Sequence, residues 1–120
     1  MDERRKFGNS AEEVATRYLK QKGYEILDRN YQKPWGEIDI IAKQENIMVF
    51  VEVKANSHAT ESSFSPEVRA DYLKLRKVIR TAKLYLNNLE REWRIDVISV
   101  TMGQDKARIT HFKNVAEDSS

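Results

Sequence analysis

Residues 36–54, GEIDIIAKQENIMVFVEVK, decide the fold of this chain. The segment first alternates charged and apolar residues and then becomes a continuous apolar run, so it predicts a β-hairpin. The apolar run is rich in β-branched and aromatic residues, which is typical of a strand covered on both faces. Glu52 and Lys54 nevertheless place a carboxylate and an ammonium group at its end. An uncompensated buried charge costs roughly several kcal/mol, so another group must neutralise it.

The spacing of the charged residues predicts which side chains meet across the hairpin. Side chains two positions apart on a strand share a face, so Glu37 lies with Asp39 and Glu52 lies with Lys54. A turn at residues 44–47 then places Asp39 opposite Glu52 and Glu37 opposite Lys54. Directly opposed side chains are about 5 Å apart at Cβ.

The same register pairs Lys43 with Met48 and brings two carboxylates, Asp39 and Glu52, face to face. Like charges placed directly opposite each other destabilise a sheet unless a cation lies between them. A small cluster of hard oxygen ligands without cysteine suits Mg²⁺ or Mn²⁺. The sequence therefore predicts a divalent-ion site on this hairpin.

Composition limits the classes of protein to consider. A chain of 120 residues with 40% hydrophobic residues predicts a single domain over residues 1–120. The net charge of +2 is too small to indicate nucleic-acid binding by itself, so the distribution of charge matters more. The absence of cysteine excludes disulfides and thiolate zinc sites and suits a reducing compartment. No apolar run approaches a membrane span and no apolar signal core begins the chain, so we expect a cytoplasmic protein without membrane contact.

The first helix is predicted from Ser10 to about Lys22, with Gly23 as its left-handed stop. Residues 1–7 are a charged lead-in that is either loose or the first part of a helix. Ser10 and Glu13 have the spacing of a capping box, which would satisfy the first backbone N–H groups of the helix. Glu12 lies beside the apolar stripe and has two interpretations. From position alone, an acid in the first turn that complements the helix dipole is favoured over an acid that faces the sheet.

The second helix is predicted to begin at Ser65-Pro66, an N-cap followed by proline at the first position. Apolar residues then recur at alternating steps of four and three up to residue 89, the clearest helical period in the chain. The cations between them are Arg69, Lys74, Arg76, Lys77, Arg80 and Lys83. A solvated face and a phosphate-binding face are weighed equally, and the acidic hairpin nearby favours phosphate binding because acids alone would repel DNA.

The remaining pattern completes an α/β fold. Strands are predicted at residues 24–31, 93–101 and 108–113, the last at a sheet edge, with a polar connection at residues 56–65. Helix, hairpin, long helix and strand in this order predict a three-layer-like sandwich, a mixed central β-sheet flanked by helices. Trp35, in the turn before the hairpin, is expected to pack on the core or its rim rather than to stack on a base.

Asp96 lies in the predicted strand at residues 93–101. It is either a further acid near the hairpin site or a partner of Arg94 or of a helix cation. We favour the ion pair, because an acid within an apolar strand needs a compensating charge.

The order of several motifs resembles a known family. AEEVATRYLKQKGYEIL, RNY, GEIDIIA, VFVEVK, a Lys/Arg-rich helix ending AKLYL, and RIDVISV cover about residues 8–100. Together they resemble the YraN-like family of uncharacterised bacterial proteins. Asp39 followed by Glu52-Val53-Lys54 also resembles the core motif of the PD-(D/E)xK nuclease superfamily, which includes Holliday-junction resolvases. The resemblance implies a restriction-endonuclease-like core.

The resemblance also implies the roles of individual residues. The implied catalytic residues are Glu12, Asp39, Glu52 and Lys54. Asp39, Glu52 and the backbone carbonyl of Val53 would hold Mg²⁺ or Mn²⁺, while Lys54 would orient the attacking water or contact the scissile phosphate. Related resolvases carry an active-site Glu on the first helix, which reverses the preference for the dipole role of Glu12. Glu37 would hydrogen-bond Lys54 across the hairpin.

The function implied is a metal-dependent endonuclease that acts on DNA, including branched or junction DNA, with Arg69, Lys74, Arg76, Lys77 and Arg80 contacting the nucleic acid. Two alternatives stay open. Instead of an endonuclease, the protein would be a non-catalytic nucleic-acid-binding protein or an interaction subunit of a DNA-processing complex. Resolvase-like relatives act as homodimers, so a homodimer is expected on a junction with two related cleavage points.

Overall fold

The computed structural model describes residues 3–56, 72–87, 90–103 and 105–116. Its elements in chain order are α1 (Glu3–Gln21), β1 (Glu25–Lys33), β2 (Gly36–Gln44), β3 (Ile47–Asn56), α2 (Tyr72–Leu86), β4 (Trp93–Met102) and β5 (Ala107–Phe112). The predicted α/β class and the three outer strands are therefore confirmed, with shifts of one or two residues at their ends.

The five strands form one mixed sheet in the order β1-β2-β3-β4-β5. Only β3 and β4 pair in parallel, while the other neighbours are antiparallel. A parallel pair needs a crossover connection, and α2 lies in that connection. The strand that carries Glu52 and Lys54 is therefore central and has a partner on both sides.

Each face of the sheet is covered by one helix, which gives three layers. The face under α1 is apolar through Ala11, Ala15, Leu19, Ile40, Ala42, Val49, Val51, Ile98 and Val100. The face under α2 is apolar through Ile38, Ile41, Met48, Phe50, Val78, Ala82, Leu86 and Ile95. Successive residues of β3 alternate between the two cores, because side chains of a strand point to opposite faces. Residues 48–51 of β3 therefore have apolar contacts on both faces of the sheet, as the sequence predicts.

The hairpin register is confirmed in part. Lys43 pairs with Met48 as predicted, and the turn tightens to Glu45-Asn46, with Glu45 at a φ of 55°. Within the described strands, however, the β2–β3 ladder ends at Ile40 and Val51. The predicted pairing of Asp39 with Glu52, and of residue 37 with residue 54, is therefore wrong as a statement about backbone partners.

The start of α1 also differs from the prediction. The helix begins at Glu3, so Ser10 lies inside it and the capping box of Ser10 and Glu13 does not exist. The segment before Ser10 is rich in Glu, Arg and Lys, which are good helix formers and let the helix extend. The predicted stop is confirmed, because Gly23 has a φ of 92° and Tyr24 N–H donates to the Leu19 carbonyl at 2.9 Å.

Part of the prediction for the second helix lies outside the described residues. This applies to its start at residues 65–66, to the connection at residues 56–65 and to Arg69, and the side chain of Lys74 is likewise not described. Between Tyr72 and Leu86 the helix is present and its apolar positions face the sheet. Neither helix in the described ranges is both long and apolar enough to cross a membrane.

Candidate functional site

Asp39 lies where β2 and β3 stop pairing. Its side chain is only 8% exposed, and Oδ2 accepts a hydrogen bond from the Val53 backbone N–H at 2.8 Å. The Asp39 carboxylate thus accepts a hydrogen bond from a backbone N–H of β3 that lies two residues beyond the last β2–β3 pair, Ile40 and Val51. Burial and, next, the charge of the neighbouring Glu52 raise the pKa of Asp39 to about 7, although the Val53 hydrogen bond lowers it. Asp39 is therefore a carboxyl group that is half protonated near neutral pH.

Two more acids surround Asp39. Glu52 on β3 is 6% exposed, and the charge of Glu12 on α1 also raises the Asp39 pKa. The pKa of Glu12 is itself raised, first by burial and also by the charges of Glu37 and Glu52, although Arg29 lowers it. The structure therefore brings three implied catalytic acids from three elements into one interacting group, which we call the carboxylate cluster: Glu12, Asp39 and Glu52.

Glu12 does not serve the helix dipole. It lies nine residues after the first residue of α1, well beyond the first turn, so the interpretation favoured from position alone is wrong. Its Oε1 atom is buried and has no hydrogen-bond partner among the described residues. A buried acceptor without a donor is costly, which makes this atom a candidate ligand for a cation.

Glu37 and Lys54 are the other two residues that the resemblance implies for this site. Glu37 is exposed and accepts a hydrogen bond from Gln32 Nε2 at 3.2 Å, while its charge raises the pKa values of Glu12 and Asp39. Lys54 is half-buried and follows Glu52 by two positions on β3, so the two side chains share a face of the strand. The implied link from Glu37 to Lys54 remains a prediction.

Arg29 belongs to this region and was missed by the sequence analysis. It pairs with Ile40 across β1 and β2, beside Asp39, and its Nη1 lies 3.2 Å from Glu13 Oε2. Its Nε atom is buried without a hydrogen-bond partner among the described residues. Glu13, expected to cap the helix, instead forms this ion pair. The only signal in the sequence was the RNY motif, which gave Arg29 no role.

The residues present suit a divalent cation in their chemistry but do not yet form a closed ligand set. All the donors are hard carboxylate oxygens, as Mg²⁺ and Mn²⁺ prefer, and they carry excess negative charge. In the described ranges, no group of three or more Asp, Glu or His side chains is arranged to hold a metal ion as it stands.

Basic residues of α2 lie next to the turn that leads into this cluster. The exposed cations with described side chains are Arg76, Lys77, Arg80 and Lys83. A Cβ added to Gly36 would lie 3.4 Å from the Lys77 Cβ, so the turn touches the helix directly. Trp35 is half-buried there, and its indole N–H donates to Thr81 Oγ1 at 3.1 Å, as expected for a residue that packs on the rim.

Asp96 lies on the same sheet but in a different environment. It is fully buried, and its oxygens lie 2.9 Å from Arg94 Nε, 2.7 Å from His111 Nε2 and 3.0 Å from the Asn114 backbone N–H. Burial alone would raise the pKa of Asp96, but the hydrogen bonds of His111, Arg94 and Asn114 bring it below its usual range. The favoured pairing with Arg94 is confirmed, whereas His111 was missed because it lies on another strand.

Tyrosine hydroxyls extend this polar group. Tyr18 OH lies 3.0 Å from His111 Nδ1, and Arg94 Nη2 donates to Tyr24 OH at 2.8 Å. A neutral imidazole satisfies both contacts of His111 by donating from Nε2 and accepting at Nδ1. We call this set (Tyr18, Tyr24, Arg94, Asp96 and His111) the Asp96 network.

The fold and these two polar groups define a small α/β protein with a mixed five-stranded sheet and a buried carboxylate cluster. The chain belongs to a family described as Uncharacterised protein family UPF0102, whose model matches residues 11–100. The resemblance to the YraN-like family is thereby confirmed.

Three relatives illustrate the similarity. A UPF0102 protein of Pseudothermotoga lettingae is 44% identical over 108 residues, which are 88% of this chain and 94% of the relative. One of Fervidobacterium nodosum is 41% identical over 113 residues, 90% of this chain and 80% of the relative. One of Campylobacter hominis is 37% identical over 113 residues, 92% and 94% of the two chains. Their names state the family and no activity.

Proposed function

We propose that this protein is a metal-dependent nuclease that hydrolyses phosphodiester bonds in DNA and has a restriction-endonuclease-like core. The observation that carries the proposal is the Asp39 carboxyl group, buried beside Glu52 with a pKa raised to about 7. Strongly perturbed acids cluster at functional sites, where the energetic cost serves binding or catalysis. Asp39 fits this pattern because three acids and one backbone N–H are the groups that act on it.

Each acid has a part in this proposal. Asp39 and Glu52 would bind Mg²⁺ or Mn²⁺ together with the Val53 carbonyl, and the Val53 N–H bond would hold Asp39 in place. Glu12 would complete the binding, directly or through a water molecule, with the buried Oε1 that has no partner in the described part of the chain. When bound, the metal ion supplies charge neutralisation at the phosphate and acidifies a water molecule.

Lys54 is the cation nearest in sequence to these acids. Because it shares a strand face with Glu52, it is placed to contact the scissile phosphate or to orient the attacking water. Glu37 would limit the freedom of Lys54. Arg29 adds a second positive charge, since its effect on the Glu12 pKa shows that the two side chains interact.

The charge of α2 supports DNA as the substrate. The segment 72–86, YLKLRKVIRTAKLYL, contains five Lys or Arg residues and no Asp or Glu. A phosphate backbone approaching the negatively charged cluster needs such neighbouring cations, because the acids alone would repel it. Branched or junction DNA, and a homodimer that places two clusters on it, are part of the same proposal.

The test uses purified full-length protein and end-labelled DNA. Junction, flap, duplex and single-stranded substrates are incubated with Mg²⁺ or Mn²⁺, with an EDTA series as the metal-free reference. The proposal expects metal-dependent cleavage of at least one substrate. It also expects Asp39→Ala and Glu52→Ala to lose that cleavage, while Glu25→Gln, an exposed acid at the start of β1, keeps it.

The second candidate function, non-catalytic DNA binding, is favoured by the same basic helix. It would replace the nuclease proposal if the protein binds DNA in a gel-shift assay but no substrate is cleaved with either metal. Cleavage that survives both alanine variants would also contradict the proposed site. Absence of both binding and cleavage would leave the interaction subunit as the function to pursue.

A further inference from the structure

Arg80 and Trp35 form a stacked pair at the tip of the β1–β2 hairpin. The guanidinium carbon of Arg80 lies 4.2 Å from the centroid of the Trp35 ring. The indole N–H donates to Thr81 Oγ1 at 3.1 Å, and the Thr81 hydroxyl donates to the Lys77 carbonyl at 2.7 Å. Because Thr81 is fully buried, this chain of hydrogen bonds fixes the indole ring on α2.

The pair lies at the surface. Arg80 is exposed and Trp35 is half-buried, so the fixed ring supports a guanidinium group that solvent reaches. A guanidinium is planar, weakly hydrated and stacks on aromatic faces. Unpaired nucleobases stack on arginine planes as they do on aromatic side chains. A base would therefore add to this pair as a third layer.

The position of the pair relates it to the carboxylate cluster. Trp35 precedes Asp39 by four residues, which corresponds to about 13 Å along an extended strand. Glu37 lies between them, and its charge acts on Asp39. Two further cations flank this path: Lys33, whose Nζ is 5.3 Å from the Tyr31 ring centroid, and Lys77, which lies against the turn. Phosphates on either side of a stacked base would meet these cations.

We propose that the Arg80–Trp35 pair is a stacking platform for an unpaired nucleobase, and that the nucleic acid bound by this protein is single-stranded within a few nucleotides of the carboxylate cluster. A base inside a duplex remains stacked on its neighbours and cannot reach the platform without being extruded. This inference rests on the nuclease function proposed above and adds the class of substrate to it.

The first test measures binding in EDTA, so that no cleavage occurs. The probes are a labelled thymidine oligomer of about 12 nucleotides and a blunt duplex of the same length. Wild-type protein is expected to prefer the oligomer. Arg80→Ala and Trp35→Ala are expected to weaken oligomer binding by roughly 5- to 100-fold, the range found when one base-stacking side chain is removed, with a smaller effect on the duplex.

Two conservative variants separate stacking from charge and from folding. Arg80→Lys keeps the positive charge but lacks the planar guanidinium group, so it is expected to bind the oligomer nearly as weakly as Arg80→Ala. Trp35→Phe keeps an aromatic ring, and is expected to retain most of the affinity. Lys20→Gln removes an exposed cation at the far end of α1 and serves as the control for general loss of charge. Circular dichroism checks that each variant folds.

A second readout reports the contact directly. The chain has two tryptophans, so Trp93→Phe leaves Trp35 as the only indole fluorophore. The oligomer is expected to quench this fluorescence and the duplex is not. The platform is overturned if the protein prefers the duplex or binds neither probe. It is also overturned if Arg80→Lys binds the oligomer as tightly as the wild type, or if the oligomer does not change the fluorescence of Trp35.

Failure of the platform and failure of the nuclease are distinguishable. Oligomer binding that depends on Arg80, in a protein that cleaves nothing with Mn²⁺, supports the platform and contradicts the nuclease. Cleavage that depends on Asp39 but is unchanged in Arg80→Ala supports the nuclease and contradicts the platform.

Discussion

Asp39 and Asp96 are two buried aspartates of one sheet with opposite electrostatics. Asp96 is fully buried, yet an arginine, a histidine and a backbone N–H keep its pKa below the usual range. Asp39 is 8% exposed and has one backbone donor, while three glutamates add to the effect of burial and raise its pKa to about 7. Nearly the same degree of burial therefore has opposite consequences.

The difference separates an acid whose charge is balanced by neighbouring donors from an acid whose charged neighbours are other acids. The Asp96 network satisfies its charge internally and joins α1 to β4 and β5, so it needs no further ligand. The carboxylate cluster instead brings three acids together where two strands part, and the pKa values of Glu12 and Asp39 are raised there. Strongly raised pKa values of this kind are the reason for proposing the cluster as the functional site.

The largest expected effect is on the Asp96 network. Asp96→Ala leaves the guanidinium of Arg94, whose side chain is 15% exposed, without its carboxylate, and breaking a buried pair in this way costs about 3–5 kcal/mol. Urea unfolding followed by circular dichroism at pH 8 measures the change. Asp39→Asn is the matched variant, and it should unfold at equal or higher urea concentration than the wild type. Equal destabilisation by Asp96→Ala and Asp39→Asn would contradict the difference drawn between the two aspartates.

The next effect is a pH dependence that belongs to Asp39. The pKa of Asp39 is about 7 in the folded protein, whereas an aspartate has an ordinary pKa of 3.8. Between these two pH values the folded state holds a proton that the unfolded state releases. The stability from this group is full below about pH 4 and is lost as the pH rises through 7, a difference of roughly 2–4 kcal/mol. The contribution of Asp39 is measured by urea unfolding of the wild type and of Asp39→Asn at pH 5 and pH 8, with EDTA present. A parallel pH profile in the two proteins would contradict the raised pKa.

Divalent cations should produce a smaller stabilisation with the reverse pH dependence. At about 100 times its dissociation constant, Mn²⁺ is expected to stabilise the folded state by about 2.7 kcal/mol and to raise the melting temperature by several degrees at pH 8. The shift should shrink at pH 5.5, because protons then compete for Asp39. Differential scanning calorimetry measures it, Asp39→Asn should abolish it, and Glu25→Gln should not. An unchanged shift in Asp39→Asn would place the cation elsewhere.

The smallest effect distinguishes two adjacent acids of α1. Glu13→Gln breaks an exposed ion pair with Arg29, which should change the free energy of unfolding by at most about 0.5 kcal/mol and leave cleavage intact. Glu12→Gln should lower Mn²⁺ affinity or cleavage by about 10- to 100-fold, the range found when residues that support metal ligands are changed. Calorimetric titration with Mn²⁺ compares them. Similar behaviour of the two variants would remove Glu12 from the site.

The fold was predictable because its signals are local. The period-two pattern of residues 36–54 predicted the hairpin and the pairing of Lys43 with Met48. Gly23 predicted the end of α1 for an equally local reason, since its left-handed backbone allows the closing hydrogen bonds. The start of α1 was predicted too late, because the capping signal at Ser10 was preferred to the alternative that residues 1–7 are the first part of the helix.

For the site, the sequence predicted which residues come together but not the contacts they make. Spacing and the family resemblance named Glu12, Asp39 and Glu52 as one group, and the structure brings them together. The hydrogen bond from Val53 to Asp39 was not predictable, because it depends on where two strands separate rather than on their residue types. His111 was missed for a related reason, since its bond to Asp96 joins two strands through the folded sheet.

Gly36 gives the molecule a spacer without a side chain. It lies between Glu37 of the acidic hairpin and the Lys77 backbone segment of the basic helix, and an added methyl would just touch Lys77 at 3.4 Å. Alanine fits there, whereas a branched residue would have to push the helix away. A substitution at this uncharged position could therefore move the basic helix away from the acidic hairpin without removing any ionisable residue.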